Sequence, residues 1–428
     1  MNILFDLSEL FFSPNRKSHH YGIMHTVIEV AYEIHKNKND VKFVVFNSGT
    51  GKFHKVDPIF ESESINGLID SGLSRVSKPL KYRSKHYDKN KIRIIMRNII
   101  NYILKYINRN KFKFAGKCDL GPISVDRHVL ITLARPKLII EYIYQLSLVG
   151  QRPVLIPMVY DLIPLHGDKN EASDKYKKDI SYIIENSYQV LTCSNFTRED
   201  ILHFGEIGEI TIPNKINCVK LVQQMKKNIN EKICYKNTSS EYLLTVGCKP
   251  GHKNLEIVLE ALAYLKSIGK RVPELVIAGT HERKVKKYIN RPEFNAIREN
   301  IHIIKNPNNT ELYNLYENAF AFVFPSLIEG WGLPLGEALS LGVVSIASDI
   351  PVLREVGGDL PVYFDPNSRI ELAGIIDFLQ SDREAYSVLR DRIKAKQGQF
   401  RTWTDVATEI LAIASEVADT NGKSVGPN

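Results

Sequence analysis

No stretch of this chain reaches the roughly 18 to 20 unbroken apolar residues that a membrane-spanning helix needs, so no span is expected. Its five cysteines, Cys118, Cys193, Cys218, Cys234 and Cys248, are odd in number, far apart and never spaced C-x-x-C. That usage argues against a disulfide framework and suits a reducing compartment. No Asp-x-Asp and no H-E-x-x-H occurs, and the twelve histidines do not cluster with cysteines at zinc-ligand spacing, so no metal site is expected. The opening MNILFDLSEL is an apolar strand pattern without a basic leader, and the expected location is cytoplasmic.

What is present suits a soluble α/β protein. With 428 residues, 43% of them hydrophobic, the chain can build two cores. The excess of 57 basic over 48 acidic residues, a net +9, favours anionic partners without choosing among nucleotide phosphates, acidic lipid and nucleic acid. Residues 75–117 hold fourteen lysines and arginines against one acidic residue, Asp88. They lack a G-x-x-G, an aromatic RNP pattern or finger spacing, so no nucleic-acid partner is expected.

Strand and helix patterns alternate along both halves. The first half has a strand at 2–7, a glycine at Gly22, a helical pattern through Ala31 and the strand VKFVVF at 41–46. Further on come a helix from Lys137, PVLIPMVYDL, a helix near 173–187, a strand ending at Cys193 and the strand EITIPN at 209–214. Residues 220–240 are polar and basic, which sets domains of 1–230 and 231–428, with the terminal helices able to return to the first. The second half restarts with EYLLTVG, a helix from Lys253 to Ile268, ELVIAG, a basic helix, IHII and a helix near 310–318. Its strands lack polar alternation, as parallel strands covered on both faces should. In such sheets ligands sit beyond the strand ends, beside helix N-termini.

The segment Ala319 to Gly358 carries the chemistry. A buried strand ends at Pro325 and Ser326, a glycine-punctuated loop holds Glu329, and a helix carrying Glu337 begins near Pro334. Gly330, Gly332 and Gly336 let backbone approach a ligand, loop N–H groups suit a phosphate or hydroxyl, and each carboxylate accepts two hydroxyl donors. The plainer alternative is a surface loop with two solvated glutamates.

EGWGLPLGE, from Glu329 to Glu337, resembles the E-x7-E motif of the retaining glycosyltransferases of family 4. Members share the GT-B fold, two facing Rossmann-like domains with a cleft between them. The resemblance implies that Glu329 contacts hydroxyls of the transferred sugar and Glu337 the nucleotide ribose, with Gly330, Trp331, Gly332 and Leu333 completing the donor loop. YLLTVGCKPGHKNLEIVLEALAYL, at 242–265, resembles the first strand, loop and helix of the family's C-terminal domain. There Lys253 matches the diphosphate-binding lysine, His252 stands where an arginine is common, and Lys249 is a nearby second cation. VYDLIPL, QVLTCSNFTREDILHFG and EITIPN are weaker matches. Tyr160-Asp161 replaces a His-Asp pair, so Tyr160 offers a hydroxyl. Asp161 stabilises charge at the anomeric carbon or orients the acceptor, or else forms an Asx turn ahead of Pro164. Gly22 is placed to approach phosphates or acceptor, and His25 to contact the acceptor or simply to pack.

The resemblance implies a hexosyltransferase whose substrates are a nucleotide-sugar donor and a polyprenyl-diphosphate-linked glycan acceptor of O-antigen or capsule synthesis. Mannose from GDP-mannose is the first choice. Glu329, Asp161 and Lys253 are the catalytic candidates, and no cofactor or metal is required. The rivals are a nucleotide-sugar epimerase of the same fold and a noncatalytic sugar-binding or scaffold protein. In a helix over 92–107, Ile92, Ile95, Ile99, Tyr102, Ile103 and Tyr106 share one side. Arg93, Arg97, Lys105 and Arg109 flank it, so peripheral contact with an anionic membrane is expected unless the helix covers the first sheet.

Overall fold

In a computed structural model, the structure describes residues 1–12, 22–37, 40–47, 50–60, 69–70, 92, 95–96, 99–100, 102–103, 106–107, 119–168, 170–225, 241–279 and 282–423. The chain divides into two compact units, Met1–Lys220 with Trp403–Asn428, and Leu221–Thr402. The division falls at Lys220–Leu221, at the start of the polar stretch 220–240. Leu221 and Val222 are already buried apolar residues, and Gln223 N–H donates to the Arg401 carbonyl within the second unit.

The first unit is built on β1 (Ile3–Asp6), β2 (Val41–Asn47), β3 (Lys52–Val56), β6 (Asp119–Ile123), β7 (Val129–Thr132), β8 (Val154–Val159), β9 (Val190–Thr192) and β10 (Ile216–Cys218), with β4 (Ile59–Phe60) and β5 (Ile69–Asp70) as a separate pair. The sheet order is β10-β9-β8-β7-β1-β2-β3-β6. It is parallel from β10 to β2, with β1 in register with both Val41 and Val129 at Ile3, and antiparallel at β3 and β6. Leu4, Phe5, Val44, Val45, Leu130 and Ile131 are fully buried, as residues on both faces of a covered parallel sheet are.

The helix Trp403–Lys423 returns to this unit. Its Thr404 hydroxyl donates to Glu33 of the helix Ile23–Lys36 at 2.9 Å, and Trp403 meets the His25 ring edge-on. EITIPN is not a strand. Ile210 instead joins a cluster with Ile180, Ile184, Ile201 and Phe204, Pro213 has no N–H for a ladder, and the strand begins at Ile216.

The second unit has β11 (Tyr242–Val246), β12 (Glu274–Gly279), β13 (Ile301–Lys305), β14 (Ala321–Phe324), β15 (Ser345–Ser348) and β16 (Val362–Phe364), all parallel, in the order β13-β12-β11-β14-β15-β16. Renumbered within the unit this is 3-2-1-4-5-6, the dinucleotide-binding order, whose direction reverses between β11 and β14. In sheets of this order the helices leaving the two strands at the reversal go to opposite faces, so a ligand crevice is expected beyond the carboxyl ends of β11 and β14. Both candidate donor motifs directly follow these two strands.

Candidate active site

The loop after β11 turns on three left-handed residues, Gly247 (φ 67°), Gly251 (φ 98°) and Asn254 (φ 52°). The helix expected from Lys253 therefore starts at Leu255, because the left-handed Asn254 ends the helical path and leaves Lys253 in the loop. Asn254 is fastened by donating to the Pro366 carbonyl at 2.8 Å. The Leu327 N–H donates to the His252 carbonyl at 2.8 Å, joining this loop to the one after β14.

That second loop reaches the helix Leu333–Ser340 through Gly332, at φ 108°. That φ strains any residue with a Cβ, which would also lie 2.9 Å from Leu353 Cδ2 and 3.2 Å from Phe324 Cε1, so glycine is favoured. Pro334 stands in the helix's first turn, where a missing N–H removes nothing. Trp331 is 4% exposed and its indole N–H donates to the Val222 carbonyl at 2.9 Å, so this side chain pins the loop inward.

Folding brings the two loops together through their side chains. Lys253 Nζ donates to Glu329 Oε1 at 2.5 Å and lies 5.6 Å from the centre of the Phe324 ring. Glu329 is 7% exposed. The lysine and glutamate that the family resemblance assigns to diphosphate and sugar are thus each other's partners here. On the helix, Glu337 Oε2 accepts a 2.9 Å hydrogen bond from Tyr316.

Burial, then Lys253, hold His252 below the ordinary imidazole value, against an opposing pull from Glu329. At neutral pH the ring is uncharged and does not replace an arginine's fixed charge. Lys249 is likewise lowered by burial and by Lys253 and Lys284, while Glu329 pulls the other way. Gly330 and Leu333 lie on the same loop and helix start. Among the described residues, no three His, Cys, Asp or Glu side chains group as a metal site.

Of the first-unit candidates, Tyr160 and Asp161 directly follow β8, and Gly22 and His25 lie at the start of the helix Ile23–Lys36. Gly22 caps the helix Ile23–Lys36 at φ 63°, and a Cβ added there would meet nothing within 4 Å. His25 lies against Trp403, 4.0 Å from Glu29. The Tyr160 hydroxyl donates to the Leu133 carbonyl at 2.9 Å, and burial raises its pKa well above the ordinary phenol value. Asp161 Oδ1 accepts from the Ile163 N–H at 3.1 Å, so the Asx turn forms. Sequence reasoning missed a buried polar group beside them. Asp6 accepts from Ser8 and Thr132, and Glu9 accepts from both the backbone and guanidinium of Arg135. Burial raises Asp6 to about 6.

Arg93, Arg97, Lys105 and Arg109 lie outside the described residues. The described residues between 92 and 107 are helical, and Ile92, Ile95, Ile99, Tyr102, Ile103 and Tyr106 are 51–76% exposed. That apolar side does not cover the sheet. No helix among the described residues is long and apolar enough to cross a membrane.

Residues 226–396 match the family of glycosyl transferases group 1. The family match contains both loops, with Lys253, Glu329 and Glu337. The chain is 25% identical over 240 residues to O-antigen chain mannosyltransferase B of Escherichia coli, covering 55% of this chain and 62% of that protein. It thus spans less than two thirds of that relative's length. Sucrose-phosphate synthase from Thermosynechococcus elongatus superposes with a TM-score of 0.64 at 13% identity, over 98% of this chain and 100% of that one. WaaG, a glycosyltransferase involved in lipopolysaccharide biosynthesis, superposes at 0.59 and 13% identity, over 96% and 99%. The fold class is GT-B, α/β with two Rossmann-like units.

Proposed function

We propose that this chain is a retaining hexosyltransferase that moves mannose from GDP-mannose to a polyprenyl-diphosphate-linked glycan in O-antigen or capsule synthesis. The observation that carries the reading is the meeting of Lys253 and Glu329 at the reversal point of a dinucleotide-binding sheet, with Glu337 on the adjoining helix. The mannosyltransferase relative supports the sugar and the pathway class.

Chemically, the second unit holds the donor. Lys253 faces the diphosphate, Glu329 the sugar hydroxyls and Glu337 the ribose, with Lys249 as the second cation. The acceptor oxygen attacks the anomeric carbon on the face from which the diphosphate departs. That C–O bond forms as the sugar–phosphate bond breaks, and the acceptor proton passes to a departing phosphate oxygen. Lys253 stabilises charge growing on the leaving group, and Glu329 grips a sugar becoming cationic. The proposed reaction uses no cofactor or metal. Asp161 and Gly22 belong to the acceptor side, and the exposed residues Ile92, Ile95, Ile99, Tyr102, Ile103 and Tyr106 meet an anionic membrane surface.

Diphosphate release from a panel of nucleoside-diphosphate sugars, each with polyprenyl-diphosphate-linked acceptors, tests this. Turnover with GDP-mannose is the expected result, and no turnover with any GDP donor removes the mannose assignment. A sugar altered without an acceptor would indicate an epimerase. Tight donor binding without release in any combination would indicate a noncatalytic protein.

A further inference from the structure

Tyr316 lies outside both sequence motifs. It stands near the end of the helix Asn309–Glu317, which is fixed at its start by a reciprocal cap between Asn308 and Glu311. Its side chain is fully buried, its ring meets Phe322 of β14 edge-on at 5.4 Å, and its hydroxyl lies 2.9 Å from Glu337 Oε2 and 3.3 Å from the Pro334 carbonyl. A phenol has one proton to donate. The carboxylate is the nearer and the charged acceptor, so the proton goes to Glu337.

From this contact we infer that Tyr316 is a positioning residue for nucleotide recognition, fixing the Glu337 carboxylate in the orientation that a ribose diol requires. The inference rests on the reading of Glu337 as the ribose ligand. A carboxylate on an unbranched side chain turns freely about its last torsion, whereas two adjacent ribose hydroxyls need both its oxygens in one plane. The hydrogen bond from a fully buried phenol holds Oε2 in place. Each carboxylate oxygen keeps further acceptor capacity, so the bond orients Glu337 without consuming its capacity for the ribose. Tyr316 acts on the nucleotide through Glu337.

The test is a cycle across protein and ligand, measured by calorimetry with GDP and 2′-deoxy-GDP, and with UDP and 2′-deoxy-UDP in parallel. Tyr316→Phe keeps the ring and its packing. It should weaken the ribonucleotide about fivefold, the worth of one hydrogen bond, and leave the 2′-deoxynucleotide nearly unchanged. The penalty for deleting the 2′-hydroxyl is then smaller in the variant than in the wild type. In a Glu337→Gln background, Tyr316→Phe should lose most of this effect, and in the transfer assay it should raise KM while leaving kcat within about twofold. Equal weakening of both nucleotides, or none of either, overturns the assignment of Tyr316. Binding of neither GDP nor UDP by the folded wild-type chain instead overturns the proposed function, and this assignment with it. If Tyr316→Phe fails to fold, Tyr316→His serves as the second variant. Its imidazole ends short of the position held by the phenol oxygen and so removes this donor, and a 2′-hydroxyl penalty that stays at the wild-type value overturns the assignment.

Discussion

Replacing Glu329 with glutamine separates two tasks assigned to one carboxylate. Glu329 Oε1 is 2.5 Å from Lys253 Nζ, so a diphosphate arriving at Lys253 meets an ammonium already paired with a carboxylate. The glutamate side chain is 9% exposed and the lysine 23%, which keeps the pair incompletely screened by solvent. A hydrogen bond between charged partners contributes about 1.5 to 3 kcal/mol, and the partial exposure of Lys253 places this pair at or below the lower end. Glutamine keeps a weaker acceptor and removes the charge, so about 1 kcal/mol of the pairing becomes available to a phosphate. Bare GDP should therefore bind Glu329→Gln roughly fivefold more tightly than it binds the wild type. Turnover should move the other way by roughly 30-fold, because the lost charge is the one that grips a sugar becoming cationic. Calorimetry with GDP and initial rates with GDP-mannose read the two effects. Weaker binding of bare GDP, or a loss confined to KM with kcat intact, refutes the reasoning.

His252→Arg should tighten GDP about fivefold at pH 7.5, since burial and Lys253 leave the imidazole uncharged and arginine brings a permanent fork; unchanged affinity would show that the position does not face the phosphates. For Asp6, the folded-state value of about 6 lies above the ordinary 3.8, so its contribution to stability is complete below pH 4 and is lost as pH rises through 6. The stability of Asp6→Asn relative to wild type should therefore rise by roughly 2 to 3 kcal/mol at most between pH 4 and pH 7.5, read as a shift in the difference between melting temperatures; a pH-independent difference contradicts the burial argument. Vesicles containing anionic lipid should sediment the protein and neutral ones should not, with binding weakened by salt and by glutamine at Arg93, Arg97, Lys105 and Arg109. Equal binding to both vesicle types, or to neither, defeats the membrane contact.

The parts of the site legible in the sequence are those that glycine and proline punctuate. Gly330, Gly332 and Pro334 mark a loop entering a helix whatever surrounds them, and Gly332 is confined to glycine by its φ of 108°. The start of the helix after β11 was not legible to the residue, because Asn254 supplies a left-handed turn that is uncommon outside glycine. EITIPN has the apolar alternation of a strand, yet Ile210 finds a better partner in the cluster around Phe204. Tyr316 reads as one more apolar position on an amphipathic helix, and the buried Asp6 as the end of a strand. Their roles depend on what β14 and β7 bring beside them.

The Lys253–Glu329 pair bridges 76 residues of sequence, and only the strand order makes them neighbours. Placing β14 next to β11 sets two loops side by side whose charges are opposite, so the second unit presents an arriving nucleotide with less positive charge than its lysines suggest. His252 adds nothing to that charge while its ring is neutral. On the proposed reading, a complete donor compensates for the broken pair, because its sugar hydroxyls give Glu329 new partners as the phosphates take Lys253. A bare nucleoside diphosphate offers Glu329 no such replacement, so the same carboxylate that grips the sugar favours departure of the spent nucleotide. Glu329→Gln should thus convert GDP into a stronger product inhibitor, in proportion to its gain in affinity in the calorimeter. An inhibition constant for GDP that stays at the wild-type value while its measured affinity rises would break the link between pairing and release.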